Sequence, residues 1–158
     1  MARQTVNALK LAGVSSAGVA LLHVLILFVG APAYRYFGAG ERMARLAERG
    51  YPTPALITVG LTGMFIVWAA YAFSGAGLLR RLPLLRPALV TIGLVYTLRG
   101  LLLGPQVVWF LSGYEAAVPP RQLVFSAAAL LTGLAYLAGT RSAWGLLAPR
   151  SVPERARS

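Results

Sequence analysis

PALITVGLTGMFIVWAAYAFSGAGLL, from Pro54 to Leu79, contains no charged side chain. The hydrocarbon core of a bilayer is about 30 Å thick, and a helix needs roughly 20 mainly apolar residues to cross it. This stretch is long enough, and it is apolar on every side. A helix of that kind is either wholly covered by protein or spans a membrane. The chain as a whole carries too little polar surface to coat a soluble fold, so lipid is the expected solvent.

Three further runs flank this one. The first, Leu9 to Ala31, is interrupted only by Lys10, Ser15, Ser16 and His23. The third runs from Pro87 to Gly104 with Arg99 inside it, and the fourth from Leu123 to about residue 140. The predicted fold class is all-α: a polytopic membrane protein forming a four-transmembrane-helix bundle, with spans near 9–31, 54–79, 87–104 and 123–140. One bundle is expected over residues 1–148, followed by a disordered, basic cytoplasmic tail over 149–158, which is rich in arginine, proline and serine.

Proline marks the breaks, because it removes a backbone donor and clashes with the preceding turn. Pro32 is expected to close the first run, Pro54 to sit in the first turn of the second, and Gly104-Pro105 to end the third. Pro119-Pro120 introduces the fourth. Ala31-Pro32-Ala33 has the small-x-small form of a signal-peptidase site, but the apolar core of a signal peptide is typically about 7–15 residues, shorter than this run. The first run is therefore expected to be a true span.

Composition agrees. Hydrophobic residues make up 58% of the chain and charged residues 12%, with a mean hydropathy of +0.68. A soluble domain averages roughly 45–50% apolar and about 25% charged. The net charge of +11 invites a nucleic-acid reading, but the basic residues form short clusters between apolar runs. That distribution follows the positive-inside rule and headgroup attraction, so no nucleic-acid partner is expected. No cysteine and a single histidine exclude disulfides, thiolate metal sites and multi-histidine metal sites.

Orientation follows from the basic loops. With the N-terminus inside, nine basic residues are cytoplasmic: Arg3, Lys10, Arg80, Arg81, Arg86, Arg141, Arg150, Arg155 and Arg157. Five lie outside: Arg35, Arg42, Arg45, Arg49 and Arg121. The bias favours N-in/C-in. In the first external loop, Ala39 to Gly50 reads as a short amphipathic helix with Phe37, Met43, Leu46 and Ala47 on one side. Glu41 and Arg45 stand four apart in the favourable order.

Helices in lipid associate through small residues. The candidate seams are Ala12, Ser16 and Ala20 in the first span; Gly93, Thr97, Gly100 and Gly104 in the third; and Ala129 and Gly133, with Ala128, Thr132 and Tyr136 alongside, in the fourth. Trp68, Tyr71, Trp109, Tyr114 and Trp144 are expected in interfacial aromatic belts.

Two ionisable groups fall inside spans. An arginine at the bilayer centre costs at least about 2.5–3.5 kcal/mol, so its presence needs a reason. Arg99 can snorkel to the nearby boundary, and His23 can hydrogen-bond to a neighbouring helix. Both fall in the same leaflet, with Tyr34, Tyr96, Arg35, Glu41 and Glu115 expected near that face. The candidate ligand site is thus His23, Arg99, Tyr34, Arg35, Glu41 and Tyr96, a polar cluster opening outward. Serine nucleophile elbows, HExxH and Walker A motifs are absent, and no acid lies within a span. No catalytic residue, metal or cofactor is expected.

Leu22-His23 followed by GAPAYRYFGAGE (Gly30 to Glu41), SGAGLLRRLPLLR (Ser74 to Arg86) and YTLRGLLL (Tyr96 to Leu103) resemble segments of a group of small uncharacterised proteobacterial inner-membrane proteins. The resemblance covers about three helices. It implies a bacterial inner membrane and carries no activity with it. The leading functional expectation is a non-enzymatic accessory subunit or a binder of a lipid or small ligand. An oligomeric transporter or channel for an anionic solute, and a membrane enzyme acting on lipid headgroups, are the alternatives. Expected partners are membrane lipids, and a homo-oligomer or a larger membrane complex.

Overall fold

A computed structural model describes residues 2–113 and 119–147, with side chains from Asn7 onward. The tail at 149–158, Tyr114, Glu115 and the side chain of Arg3 lie outside the described residues. Within them the chain is helical, without strands: α1 (Ala2–Val29), α2 (Ala31–Tyr36), α3 (Glu41–Glu48), α4 (Thr53–Gly75), α5 (Leu85–Leu101), α6 (Leu103–Leu111) and α7 (Pro120–Ser142). Four helices are long and apolar enough to cross a membrane: Asn7–Val29 of α1, all of α4, the continuous α5–α6 stretch Leu85–Leu111, and α7. Together they point to a membrane protein.

Helix ends depart from the apolar runs where backbone chemistry overrides hydropathy. Gly30, not Pro32, ends α1. It adopts φ 73°, a left-handed conformation open to glycine, and Pro32 then sits in the first turn of α2. Likewise Gly104-Pro105 does not end the third span. Pro105 occupies the first turn of α6, where its missing donor costs little, and the helix merely breaks at Leu102. Beyond it Gln106 donates its backbone N–H to the Leu102 carbonyl, and its side chain is buried. In α4 and α7, Pro54 and Pro120 stand in the first turn.

The long helices pack as two close pairs, α1 with α4 and α5 with α7, joined chiefly through α1 and α7. Glycines set these approaches. A Cβ on Gly100 would lie 2.4 Å from the Leu130 Cα, and one on Gly133 would lie 2.4 Å from the Thr97 hydroxyl and 2.5 Å from its backbone nitrogen. One on Gly139 would meet Leu9. Ala12, Ser16 and Ala20 are all buried. Gly104 is an exception among the candidate seam residues: nothing lies within 4 Å of where its Cβ would be.

The main core gathers Leu9, Ala72, Leu85, Leu89, Ile92, Tyr96, Tyr136 and Leu147, so the early part of α1 and the segment that follows α7 meet at one end of the bundle. Trp68 and Tyr71 are partly buried and pack against this core. At that same end, Arg86 donates to the Trp144 carbonyl and lies 4.7 Å over its ring. Ser74 accepts from the Leu82 N–H and donates to the Arg80 carbonyl, which closes the α4–α5 turn. The outward faces carry exposed Leu21, Leu25, Phe28, Leu56, Ile66 and Leu98, a surface suited to lipid.

At the opposite end, α2 and α3 fold over the bundle. Ile26, Ala31, Ala33, Tyr34 and Ala44 form a second small core, with Met43, Phe37 and Ala47 against it. Tyr34 donates to the Thr58 hydroxyl at 3.0 Å, since Thr58 spends its own hydrogen on the Pro54 carbonyl. Arg35 binds Glu41 at 2.8 Å and Glu48 at 2.7 Å, and Arg45 stands 3.4 Å from Glu41.

Candidate functional site

The α2–α3 cap and the four long helices enclose a cleft of about 860 Å³, within the roughly 300–1,000 Å³ range of small-molecule sites. On α1 it extends from Leu11 to Ile26, roughly 22 Å at 1.5 Å per residue. The α1 and α7 helices touch at Leu9 and Gly139 and again at Ser16 and Tyr136. Nearer the cap the space between them is open. Gly18, Ala128 and Leu131 line it and are exposed, so the cleft faces sideways between α1 and α7.

Its walls are mostly apolar: Leu11, Leu22, Ile57, Leu61, Phe65, Phe125 and Leu131 among them. Of the six candidate ligand residues, His23, Arg99, Tyr34 and Tyr96 all face this one space. Arg35 and Glu41 do not. Both are half exposed and engaged in the ion pairs of the cap. There Arg35 hydrogen bonds hold the Glu41 and Glu48 carboxyls below the ordinary carboxylate range, and the same bonds raise the Arg35 guanidinium.

Arg99 projects from α5, where its Nη1 donates to the Ser126 hydroxyl of α7 at 2.9 Å. Ser126 in turn donates to Oε1 of Gln106 at 2.7 Å. Ser126 is fully buried and Gln106 nearly so, which fixes one edge of the guanidinium. Snorkelling alone therefore does not describe this side chain. A guanidinium carries five N–H donors, and one is spent here. Among the described residues no carboxylate lies within ion-pair distance of it.

His23 bonds within its own helix and not across to a neighbour. Nδ1 lies 2.8 Å from the Val19 carbonyl, four residues back. A carbonyl can only accept, so Nδ1 carries the hydrogen and the neutral ring presents Nε2 as an acceptor. The ring lies 5.0 Å from that of Phe65, the first of an aromatic series through Trp68 and Tyr96 to Tyr136.

The other hydroxyls are committed to the protein. Tyr136 donates to the Trp68 carbonyl at 2.9 Å. Each hydroxyl has one hydrogen, so Ser16 must donate to Tyr136 at 2.9 Å and Tyr96 to Ser16 at 3.1 Å. Thr132 donates to the Ala128 carbonyl and Thr58 to that of Pro54. Among the described residues, donors remain unspent on two side chains lining the cleft, Arg99 and Ser15, while Nε2 of His23 has no partner and the Tyr34, Tyr96 and Thr132 oxygens keep only acceptor capacity.

Ser126 and Gln106 are the residues around Arg99 that sequence reasoning missed. A serine or glutamine in a helix is unremarkable until the fold supplies its partner. Among the described residues no three His, Asp or Glu side chains gather into a metal-binding group. No protein-family model, curated protein sequence or solved structure matches this chain.

Proposed function

We propose that the chain is a non-enzymatic membrane protein that holds an amphipathic ligand in the cleft between α1 and α7. The observation that carries this reading is Arg99, a cation without a carboxylate partner among the described residues, held by Ser126, which Gln106 fixes in turn, at the wall of a mostly apolar space. Such a charge costs at least about 2.5–3.5 kcal/mol in lipid, and intramembrane ionisable residues mark functional sites by default. The ordered hydroxyls around it add rigidity without offering a nucleophile poised beside a base.

The positive-inside bias supports placing both ends in the cytoplasm and the cap outside, in the bacterial inner membrane suggested by the resemblance. The ligand then reaches the cleft from the outer leaflet.

Native mass spectrometry of the protein in mild detergent tests the reading. Gly18 lines the cleft with nothing within 4 Å of where its Cβ would be, so Gly18→Trp puts a bulky side chain on the cleft wall from a position whose Cβ meets no neighbour. A bound small molecule on the wild type that disappears in Gly18→Trp is the expected result. A ligand-free wild type, or a dimer that Gly18→Trp disperses, refutes it. The dimer would make the cleft a self-association surface.

A further inference from the structure

We infer that the cleft takes a single amphiphile with a phosphate monoester head, anchored at Arg99 and His23, with its alkyl tail along the apolar faces of α1 and α7. The inference rests on the ligand reading of the cleft given above and adds the chemistry of what fills it.

The hydrogen-bond inventory selects the head. Arg99 offers a cation and several N–H donors in a planar fork, a geometry that matches phosphate or carboxylate oxygens. The neutral tautomer of His23 offers the opposite, an acceptor at Nε2, because its Nδ1–H is held by the Val19 carbonyl. Both line the same cleft, where His23 lies against the Phe65 ring, Phe65 lies 6.2 Å from Tyr96, and Arg99 comes about one turn after Tyr96 along α5. A head that satisfies both must bring anionic oxygens and a hydrogen to donate. A phosphate monoester brings both, since its second pKa is about 6 and a fraction keeps its P–OH at neutral pH. A carboxylate brings only the oxygens.

The tail follows from the walls. Leu11, Gly18 and Leu22 run down α1, and Leu131 faces them from α7. The open side between these helices lets a chain slide in from the bilayer while the head stays at the cap end. Quaternary ammonium and sugar heads leave the Arg99 charge unmatched.

Protein in zwitterionic phosphatidylcholine nanodiscs, titrated with dodecyl phosphate, dodecanoate, dodecyl maltoside and inorganic phosphate, tests this, with empty nanodiscs as the blank. Dodecyl phosphate is expected to bind at least about tenfold tighter than the maltoside, as one charge-assisted contact implies. Arg99→Gln should remove that preference and Arg99→Lys should keep part of it. His23→Phe should bring dodecyl phosphate down to the level of dodecanoate. Equal binding of phosphate and maltoside overturns the anionic assignment and leaves the ligand cleft standing. Equal binding of phosphate and dodecanoate overturns the monoester. Inorganic phosphate competing as well as its dodecyl ester overturns the amphiphile. If no amphiphile binds above the blank, the ligand reading itself fails as well. The four wild-type titrations decide these points even if Arg99→Gln does not fold.

Discussion

Arg99 of α5 donates to Ser126 of α7 across 2.9 Å, and the acceptor comes 27 residues later in the chain. Ser126 passes its own hydrogen to Gln106, so one hydroxyl ties the charge to two helices. Ser126→Ala removes the tether and leaves the Gln106 Oε1 without its donor. The expected cost is about 0.6–2 kcal/mol of stability in detergent, with ligand affinity falling severalfold as the guanidinium loses its fixed orientation. Thermal unfolding followed by circular dichroism, together with ligand titration, checks both numbers.

The seam between α5 and α7 is the least forgiving part of the molecule. Gly100→Ala places a methyl 2.4 Å from backbone atoms, which cannot rotate away as a side-chain tip can. The two helices must separate, at an expected cost of about 1–3 kcal/mol. Gly60→Ala, with nothing within 4 Å of the new methyl, serves as the comparison and should be neutral or slightly stabilising. Equal melting temperatures for the two variants would refute the seam.

Hydroxyl hydrogens run in one direction, from Tyr96 through Ser16 and Tyr136 to the Trp68 carbonyl. Ser16 joins three helices through this chain. Ser16→Ala breaks two bonds, whereas Tyr96→Phe breaks one at the end of the chain. The serine variant should therefore lose more stability, with a total below about 2 kcal/mol. Hydrogen exchange at the Trp68 end of α4 would register the difference.

The cap is pH-sensitive in a defined sense. Arg35 holds Glu41 and Glu48 below their ordinary value of 4.5, so these carboxylates are ionised more readily in the folded cap than in the unfolded chain. Their contribution is complete above the ordinary value and is lost as pH falls through the lowered one. A fluorophore on α3 should thus show the cap firmly docked at neutral pH and loosening only below pH 4.5. Glu41→Gln with Glu48→Gln should remove that transition and leave a looser cap throughout.

Much of this architecture was legible in the residues. Hydropathy locates four spans because lipid permits no long polar face, and small residues locate most of the seams because only they allow backbones this close. Pro105 shows the limit of reading by punctuation: proline stops a helix only where a donor is needed, and here the chain carries on and brings Gln106 inward. Trp68 shows the other limit, because its packing against the core depends on Tyr96 and Tyr136, far along the chain. His23 and Arg99 stood out as ionisable groups in apolar runs. Their common cleft also required the splay of α1 from α7, which no local pattern encodes. Arg35 and Glu41 were drawn into the candidate site because topology puts them near the same face, and they pair within the cap instead.

The central claim is that the α1–α7 cleft holds an amphiphile. Photolabelling with a diazirine-bearing alkyl phosphate, followed by peptide mapping, addresses it most directly. The account predicts label concentrated at Leu11, Leu22 and Leu131, suppressed in Gly18→Trp and sparse at the outward-facing Leu21, Leu25 and Phe28. Label spread evenly over those outward residues, and indifferent to Gly18→Trp, would contradict it.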